Sequence, residues 1–302
     1  MIQWYPGHMH KAKKELLKIL PQTDLVIEVL DARIPFSSQN PLLTRLRKDK
    51  PCIKLLNKSD LADAAVLSEW RECLERDSSV KTLTCNYHEV AIKKLPELCR
   101  AMIPPRENRS AMIYALIAGI PNVGKSTLIN KLAGRVIAKT GNEAALTRMQ
   151  QRIEISPELT LIDTPGMLWP KIENENSGYR LAATGAIRDT AIDLQEIAFF
   201  VADFLRHNYA SQVNERYTLE SMPHTEIGLI EAIAKKRGCI KVGGAVDYEK
   251  ISRLLIAELR NGDLGGLCLE TPAMVALELA ELETKKRVDA EKKAARLAAR
   301  KK

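Results

Sequence analysis

The chain has 302 residues, of which 45% are hydrophobic, and carries a formal net charge of +8. This length leaves room for about two domains of ordinary size. No apolar run in the sequence reaches the roughly 20 residues that a membrane-spanning helix needs, and the first residues lack the apolar core of a secretion signal. The sequence therefore predicts a globular cytoplasmic protein without a membrane partner.

The positive charge is concentrated at the C-terminal end, where nine basic and two acidic residues lie between Lys285 and Lys302. A basic segment of this kind favours contact with a polyanion such as nucleic acid, and a solvated end of a helix is the alternative. The six cysteines are scattered and include no C-x-x-C pair. They indicate neither a zinc site nor a disulfide framework.

The first third of the chain alternates helix and strand patterns. The spacing predicts a helix over 9–20, a strand over 24–30, a polar loop over 31–41, a helix over 42–47 and a strand over 51–56. Another helix over 66–75 and a strand and loop over 80–86 follow. This alternation is typical of an α/β protein.

The first motif with a chemical meaning is Asn57-Lys58-Ser59-Asp60, which follows the strand over 51–56. A carboxylate at Asp60 can accept hydrogen bonds from the N1–H and the exocyclic amine of guanine, which adenine cannot supply. Asn57 and Lys58 are then expected to brace the loop against the ring. The motif predicts guanine recognition.

The end of the next strand offers a weaker candidate. Thr84 and Cys85 are placed to supply a backbone N–H to the guanine carbonyl oxygen. An ordinary strand end explains the same residues equally well. A helix over 91–102 and a proline-containing linker over 103–110 come next.

A phosphate-binding loop is predicted between a buried strand over 111–118 and a helix that begins near Thr127. The sequence from Gly119 to Thr127 fits G-x-x-x-x-G-K-[ST], whose backbone N–H groups surround phosphate oxygens at a helix N-terminus. Lys125 is expected to reach the outer phosphates, and the Ser126 hydroxyl to bind Mg²⁺. The nucleotide contacts are assigned to Asn122, Val123, Gly124, Lys125, Ser126 and Thr127.

Two later segments complete the chemistry of the terminal phosphate. Thr147, in a polar loop over 139–148, is the candidate that closes over Mg²⁺ and the terminal phosphate. A strand over 159–162 leads into Asp163-Thr164-Pro165-Gly166, a D-x-x-G motif. Here Asp163 is expected to hold a water bound to Mg²⁺, and the N–H of Gly166 to contact the γ-phosphate.

Beyond Trp169 the strands stop and helical spacing continues. Helices are predicted over 179–187, 194–208, 211–217, 225–237 and 248–260, separated by glycines. No metal or nucleophile constellation occurs in this part of the sequence, which indicates a binding module. Its candidates for RNA contact, against the alternative of ordinary solvated charge, are Arg188, Lys235, Lys236, Arg237 and Lys241.

The order of the motifs is inverted, because N-K-x-D precedes the phosphate loop instead of following it. With the opening Trp4-Tyr5-Pro6-Gly7-His8-Met9 and the Asp31-Ala32-Arg33 loop, the sequence resembles the YlqF/RbgA-type GTPases that assist assembly of the large ribosomal subunit. The resemblance covers about residues 1–280. The basic tail lies outside it.

The resemblance implies an α/β fold in which a circularly permuted P-loop G domain over 1–172 is joined to a smaller all-helical, RNA-binding domain over 173–282. The basic tail over 283–302 is expected to be helical or disordered. GTP or GDP and Mg²⁺ are the implied cofactors, and Asn122 is a candidate ligand for K⁺. In one departure from the family, Ala144-Ala145 stands where its members commonly carry a Pro-Gly pair ahead of the switch threonine, here Thr147.

Hydrolysis also needs a group that orients the attacking water, often a glutamine just after D-x-x-G. That position is Met167, whose apolar side chain cannot do this. In a permuted chain the segment before the first strand takes the topological place after D-x-x-G. His8 is therefore the predicted water-positioning residue, together with Lys125, Thr147 and Gly166 in the catalytic set; the alternative is that His8 caps the first helix and packs against Trp4.

Taken together, these features predict a monomeric GTPase that binds the precursor of the large ribosomal subunit through its rRNA. Hydrolysis, slow alone and stimulated by ribosomal particles, is expected to accompany a late assembly step and release of the protein. No DNA partner is expected. Two alternatives stay open: a non-catalytic, GTP-dependent RNA-binding checkpoint, and a GTPase that acts on another RNA.

Overall fold

The computed structural model describes residues 8–86, 90–103, 112–137 and 151–299. Six strands form one sheet in the order β3-β2-β1-β4-β6-β5. Only β5 runs antiparallel to its neighbour β6, whereas the other pairs are parallel. The strands are β1 (Leu25–Asp31), β2 (Cys52–Asn57), β3 (Val80–Cys85), β4 (Ile113–Gly119), β5 (Gln151–Ser156) and β6 (Leu159–Asp163).

The sheet has the circularly permuted order predicted from the motifs. The strand that carries the phosphate loop, β4, is fourth in the chain but lies in the middle of the sheet, between β1 and β6. The strand that ends in the guanine motif, β2, precedes β4 in sequence. Because β1, β2, β3, β4 and β6 run parallel, their carboxyl ends lie along one edge, where α/β proteins bind ligands.

Helices cover the sheet, and within the described residues the strands end at Asp163 and helices follow. Side chains cap the N-termini of several helices: Asn40 caps α2, Asp63 caps α3 and Asp193 caps α7. The helices are α1 (His8–Ile19), α2 (Pro41–Arg47), α3 (Ala64–Leu74), α4 (Leu95–Ala101), α5 (Lys125–Ala133), α6 (Glu175–Ala183), α7 (Leu194–Asn208), α8 (Ala210–Tyr217), α9 (Glu226–Lys236), α10 (Tyr248–Asn261) and α11 (Pro272–Ala299).

Two predicted helical segments differ clearly from the structure, and the predicted tail is helical as far as Ala299. The helix α6 begins four residues earlier than predicted, because the Asn174 side chain accepts hydrogen bonds from the N–H groups of Asn176 and Ser177. The predicted helix over 91–102 is a 3₁₀ helix, Val90–Lys94, followed by the short α4. The helix α11 continues through the predicted tail as far as Ala299. The two boundaries between the three predicted segments remain predictions.

The main hydrophobic core is continuous between the sheet with its covering helices and the helices that follow β6. It includes Ile120 and Val123 of the phosphate loop together with Leu181 of α6 and Ile187 beyond it. A smaller cluster, which includes Trp70 of α3 and Val275 of α11, lies at the carboxyl ends of β1 and β2. Both clusters border the edge of the sheet that carries the motifs.

No helix within the described part of the chain combines the length and the apolar character that crossing a membrane requires.

Candidate nucleotide-binding site

The phosphate loop connects β4 to the N-terminus of α5. Asn122 and Gly124 both adopt left-handed backbone conformations, with φ of 58° and 92°. Gly124 is the residue directly before the first turn of α5. Such a loop turns successive N–H groups toward one point at a helix N-terminus, where the helix dipole also favours an anion.

Gly119 is required by the close approach of two strands. It lies opposite Val29 of β1, and a Cβ atom at position 119 would be 2.8 Å from the Val29 carbonyl oxygen and 2.9 Å from Cγ1 of Val123. Real Cβ contacts are not this short. The first glycine of the motif therefore allows the loop to start close against β1.

The guanine motif lies directly beside the phosphate loop. The Asn57 side chain donates a hydrogen bond to the Val123 carbonyl oxygen over 2.7 Å, and its own Oδ1 accepts one from Sγ of Cys85 at 3.3 Å. Asn57 and Cys85 are partners in the parallel register of β2 and β3. Thr84, also at the end of β3, is partly exposed.

The next residues of the motif form a tight turn. Lys58 has a left-handed φ of 60°, and its Nζ atom lies 2.9 Å from Oδ2 of the buried Asp31. Asp60 lies in the 3₁₀ turn Ser59–Leu61 and is exposed. The exposure of Asp60 is compatible with its predicted contact to a guanine base.

The D-x-x-G segment lies on the phosphate loop as well. The Met167 N–H donates to the Gly119 carbonyl oxygen at 3.2 Å, and a Cβ atom at Gly166 would lie 3.2 Å from Cα of Pro121. The Thr164 hydroxyl donates to the Ile117 carbonyl oxygen of β4 at 2.9 Å. These contacts hold Gly166 against the loop that is predicted to surround the phosphates.

Lys125 and Asp163 form a buried ion pair, with side-chain exposures of 6% and 1%. Asp163 pairs with Ile117 in the register of β6 and β4, so its carboxylate emerges beside the phosphate loop. Ser126, in the first turn of α5, is partly exposed. The structure thus brings together the cation assigned to the outer phosphates and two oxygen donors of the kind that Mg²⁺ prefers.

Two of the predicted site residues lie partly or wholly outside the residues that the structure describes. Thr147 lies outside the described residues. His8 is the first residue of α1, but its side chain is also outside them. Met167, in contrast, is described, and its side chain is buried with 3% exposure.

Asn122 has a partner that the sequence did not indicate. Its side-chain amide donates to the carbonyl oxygen of Gly185 at 2.8 Å. Gly185 directly follows α6 and belongs to the helical half of the chain, which comprises α6 to α11. The contact joins the phosphate loop to the C-terminal half of the chain. The assignment of Asn122 to K⁺ remains a prediction.

Asp31, whose carboxylate contacts Lys58, is a residue of the site that the nucleotide-binding motifs do not include. Burial raises the pKa of Asp31, but the charges and hydrogen bonds of Arg33 and Lys58 outweigh this effect and hold the pKa well below its usual range. Asp31 is therefore a permanent anion at neutral pH. The available signal was its position as an acidic residue at the carboxyl end of a buried strand.

Known proteins that are similar to this chain are GTPases. The profile of the 50S ribosome-binding GTPase family matches residues 114–235. The chain is 44% identical to ribosome biogenesis GTPase A of Bacillus licheniformis over 285 aligned residues, which cover 90% of this chain and 99% of that protein. Its identity to the Bacillus cereus protein of the same name is 40%, over 94% of this chain and 98% of that protein.

The chain belongs to the ribosome biogenesis GTPase A family. It is a GTPase that takes part in ribosome assembly, and it binds guanine nucleotides. Among solved structures, a GDP-bound TM YlqF has a TM-score of 0.61 at 28% identity, covering 86% of this chain and 99% of that one. GNP-bound YlqF from T. maritima has a TM-score of 0.59 at 29% identity, covering 87% and 98%.

The five candidates for RNA contact in this GTPase differ in their surroundings. Lys235, Lys236 and Lys241 are exposed. Arg237 is exposed as well, but it forms an ion pair with Glu258 and its guanidinium lies 5.5 Å from the centre of the Tyr217 ring. Arg188 is the residue before the 3₁₀ helix Asp189–Ala191. All five candidate side chains are therefore on the surface, and RNA contact remains a prediction for each of them.

Proposed function

We propose that this GTPase binds a precursor of the large ribosomal subunit through its rRNA and that GTP hydrolysis releases it. The observation that carries the proposal is the double connection between the phosphate loop and the helical half. Asn122 donates to Gly185 at 2.8 Å, and the D-x-x-G segment, held on Gly119 through the N–H of Met167, runs directly into α6.

These connections give the nucleotide state a short route to an RNA-binding surface. A γ-phosphate that contacts the N–H of Gly166 fixes the segment that leads to α6, and loss of that phosphate releases it. The helical half is then biased between two positions by the nucleotide. Its exposed Lys235, Lys236 and Lys241 are the proposed contacts to rRNA.

The C-terminal part of α11 adds a second basic surface. Lys286 pairs with Glu173, and the residues from 287 to 293 are exposed. Basic side chains on an exposed helix attract a polyanion without reading its sequence. We assign this part of α11 to the same rRNA partner.

Mg²⁺ is proposed to bind through Ser126, Asp163 and Thr147, and K⁺ through Asn122. Mg²⁺ commonly uses one or two protein oxygens and completes its shell with phosphate and water, which fits a hydroxyl and a carboxylate beside the phosphate loop. Lys125 neutralises charge on the outer phosphates, and His8 orients the attacking water. Stimulation by ribosomal particles and location in the cytoplasm belong to the same proposal.

Phosphate release from GTP tests the proposal. The rate is measured alone, with precursors of the large subunit, with small subunits and with tRNA, in buffers containing either K⁺ or Na⁺. We expect stimulation by the large-subunit particles, greatest in K⁺. Equal rates under all conditions would overturn the coupling, and stimulation by tRNA alone would assign the enzyme to another RNA.

Co-sedimentation separates binding from hydrolysis. With a non-hydrolysable GTP analogue the protein is expected to pellet with large-subunit precursors, and with GDP it is expected to stay in solution. A variant that combines Lys235→Ala, Lys236→Ala and Lys241→Ala should lose pelleting but keep its affinity for GDP. Unchanged pelleting of that variant would remove these lysines from the interface.

A further inference from the structure

A buried ionic cluster lies behind the guanine motif, at the end of β1. Oδ1 of Asp31 accepts hydrogen bonds from the backbone N–H of Arg33 at 3.1 Å and from its Nε at 2.9 Å. Oδ2 accepts from Nη2 of Arg33 at 2.8 Å and from Nζ of Lys58 at 2.9 Å. The Asp31 carboxylate therefore fixes both Arg33 and Lys58, which is the lysine of the guanine motif.

The same arginine reaches into the helical half. Nη1 of Arg33 donates to the carbonyl oxygens of Leu259 at 3.2 Å and Arg260 at 3.5 Å, in the last turn of α10. The backbone N–H of Leu269 donates to the Arg33 carbonyl oxygen at 2.8 Å. A cation at the carboxyl end of a helix also interacts favourably with the helix dipole. Arg33 thus bridges Asp31 and the C-terminal half.

The residues just after the guanine motif contact the helical half through their backbone. The Leu267 N–H donates to the Leu61 carbonyl oxygen at 3.1 Å. A Cβ atom at Gly266 would lie 2.8 Å from the carbonyl oxygen of Ala62, and one at Gly262 would lie 2.6 Å from Cδ2 of Leu61. Two glycines therefore allow the helical half to pack tightly on the far side of the guanine motif.

Burial makes this cluster sensitive to the loss of its one anion. The side chains of Arg33 and Asp31 are 1% and 2% exposed, and that of Lys58 is 13% exposed. Removing the carboxylate charge leaves two cations close together with little solvent to screen them. The Lys58 side chain would then move away, although Asn57 and Asp60 are untouched.

We propose that Asp31 is a positioning residue for guanine nucleotide binding, which holds Lys58 in place and is itself fixed against α10 by Arg33. The proposal rests on binding of the guanine base at Asn57–Asp60, and it adds residues that do not touch the nucleotide. It makes the affinity for the nucleotide depend on the helical half.

A double-mutant cycle on the full chain tests the proposal. Fluorescent GDP is titrated into the wild type, Asp31→Asn, Lys58→Met and the double variant. We expect Asp31→Asn to weaken GDP binding about tenfold, comparable to the loss of one hydrogen bond to a charged group. In the Lys58→Met background the same change should have less than about a twofold effect, because the lysine that Asp31 positions is already gone.

A purely structural role of Asp31 gives a different result. In that case the loss of affinity would be the same in both backgrounds, and the proposal would be wrong; an Asp31→Asn variant that binds GDP like the wild type would also overturn it. If Asp31→Asn does not fold, as judged by its thermal transition without nucleotide, Arg33→Lys takes its place in the cycle and the same criterion applies.

Arg47→Gln is the matched control. Arg47 is also a buried arginine, it pairs with Asp77 at 2.5 Å, and it lies near the N-terminal end of β2, at the opposite edge of the sheet from Lys58. This variant should bind GDP like the wild type. A wild-type protein that binds no guanine nucleotide would instead refute the proposed function, whereas additive losses in the cycle refute only the role of Asp31.

Discussion

The side-chain amide of Asn57 donates a hydrogen bond to the carbonyl oxygen of Val123 over 2.7 Å, so the guanine motif and the phosphate loop are joined directly. On its other side Asn57 accepts a hydrogen bond from Cys85. The three residues come from the ends of β2 and β3 and from the loop after β4. The base-binding and phosphate-binding parts of the site are therefore one unit, although α3, β3, α4 and β4 separate them in the chain.

Replacing Asn57 should weaken both parts of the site. In Asn57→Ala the buried Val123 carbonyl loses its partner, and we expect the affinities for GDP and GTP each to fall about tenfold. Titration with fluorescent nucleotides measures this. Cys85→Ala removes only a weak S–H donor and should change the affinity less than about threefold. Wild-type affinity in Asn57→Ala would show that the contact does not support nucleotide binding.

Gly119→Ala should destabilise the protein and its site together. The added methyl group would meet the Val29 carbonyl oxygen and Val123 at less than 3 Å, and overpacking of this kind costs about 1–3 kcal/mol of unfolding free energy. Gly134→Ala is the control, because Gly134 has a φ of 64° but no atom within 4 Å of a Cβ position. It should cost roughly 1–2 kcal/mol through backbone strain and leave GDP affinity unchanged. Urea unfolding and GDP titration distinguish the two, and equal nucleotide affinity in both variants would contradict the steric argument.

Local signals in the sequence predicted the motifs and most elements of the fold. The phosphate loop, the guanine motif and D-x-x-G each follow a strand at the expected place, because short-range patterns determine strand ends and helix N-termini. The start of α6 was missed, because its cap at Asn174 does not depend on apolar spacing. The contact between Arg33 and α10 could not be predicted, because it joins residues more than 200 positions apart and depends on how the two halves pack.

Asp60→Asn should change the choice of base. The amide can donate to the C2 carbonyl of xanthine but can no longer accept two hydrogen bonds from guanine. The affinity for GDP is therefore expected to fall about 100-fold or more, and the affinity for xanthosine diphosphate is expected to rise. Asp63→Asn is the control, because Asp63 caps α3 and asparagine is an equally good cap. A competition assay between the two nucleotides measures the preference. Retained guanine preference in Asp60→Asn would refute the role of Asp60.

The cysteines should differ sharply in reactivity. Five of the six are buried, and Cys73 on α3 is partly exposed. Burial raises the pKa of Cys52, Cys99 and Cys268 to about 12 each, so their thiolates are scarce at neutral pH. Labelling with an aromatic disulfide at about pH 8 should show one fast thiol, which Cys73→Ser removes. A fast phase that persists in Cys73→Ser would mean that a buried cysteine becomes accessible.

Arg180 connects α6 to α11 and should be important for stability. It lies 3.4 Å from the buried carboxylate of Glu270 and donates to both oxygens of Glu278, through Nη1 at 2.8 Å and Nη2 at 2.5 Å. Arg180→Ala leaves two carboxylates without their cation, and we expect the unfolding free energy at neutral pH to fall by about 3–5 kcal/mol. Urea unfolding measures it. Arg253→Ala, which removes an exposed pair with Glu249, should have an effect below about 1 kcal/mol.

The contact between Arg180 and Glu278 should make the free energy of unfolding depend on pH in the acidic range. Burial raises the pKa of Glu278, but the hydrogen bonds from Arg180 and Asn174 outweigh it and lower the pKa below its ordinary value of 4.5. Because the folded pKa lies below the unfolded one, the stabilisation is fully present above the unfolded value and is lost as the pH falls through the folded value. Between about pH 5 and about pH 3 the unfolding free energy of Glu278→Gln should therefore fall less steeply than that of the wild type. Parallel slopes for the two proteins would show that protonation of Glu278 is not linked to unfolding.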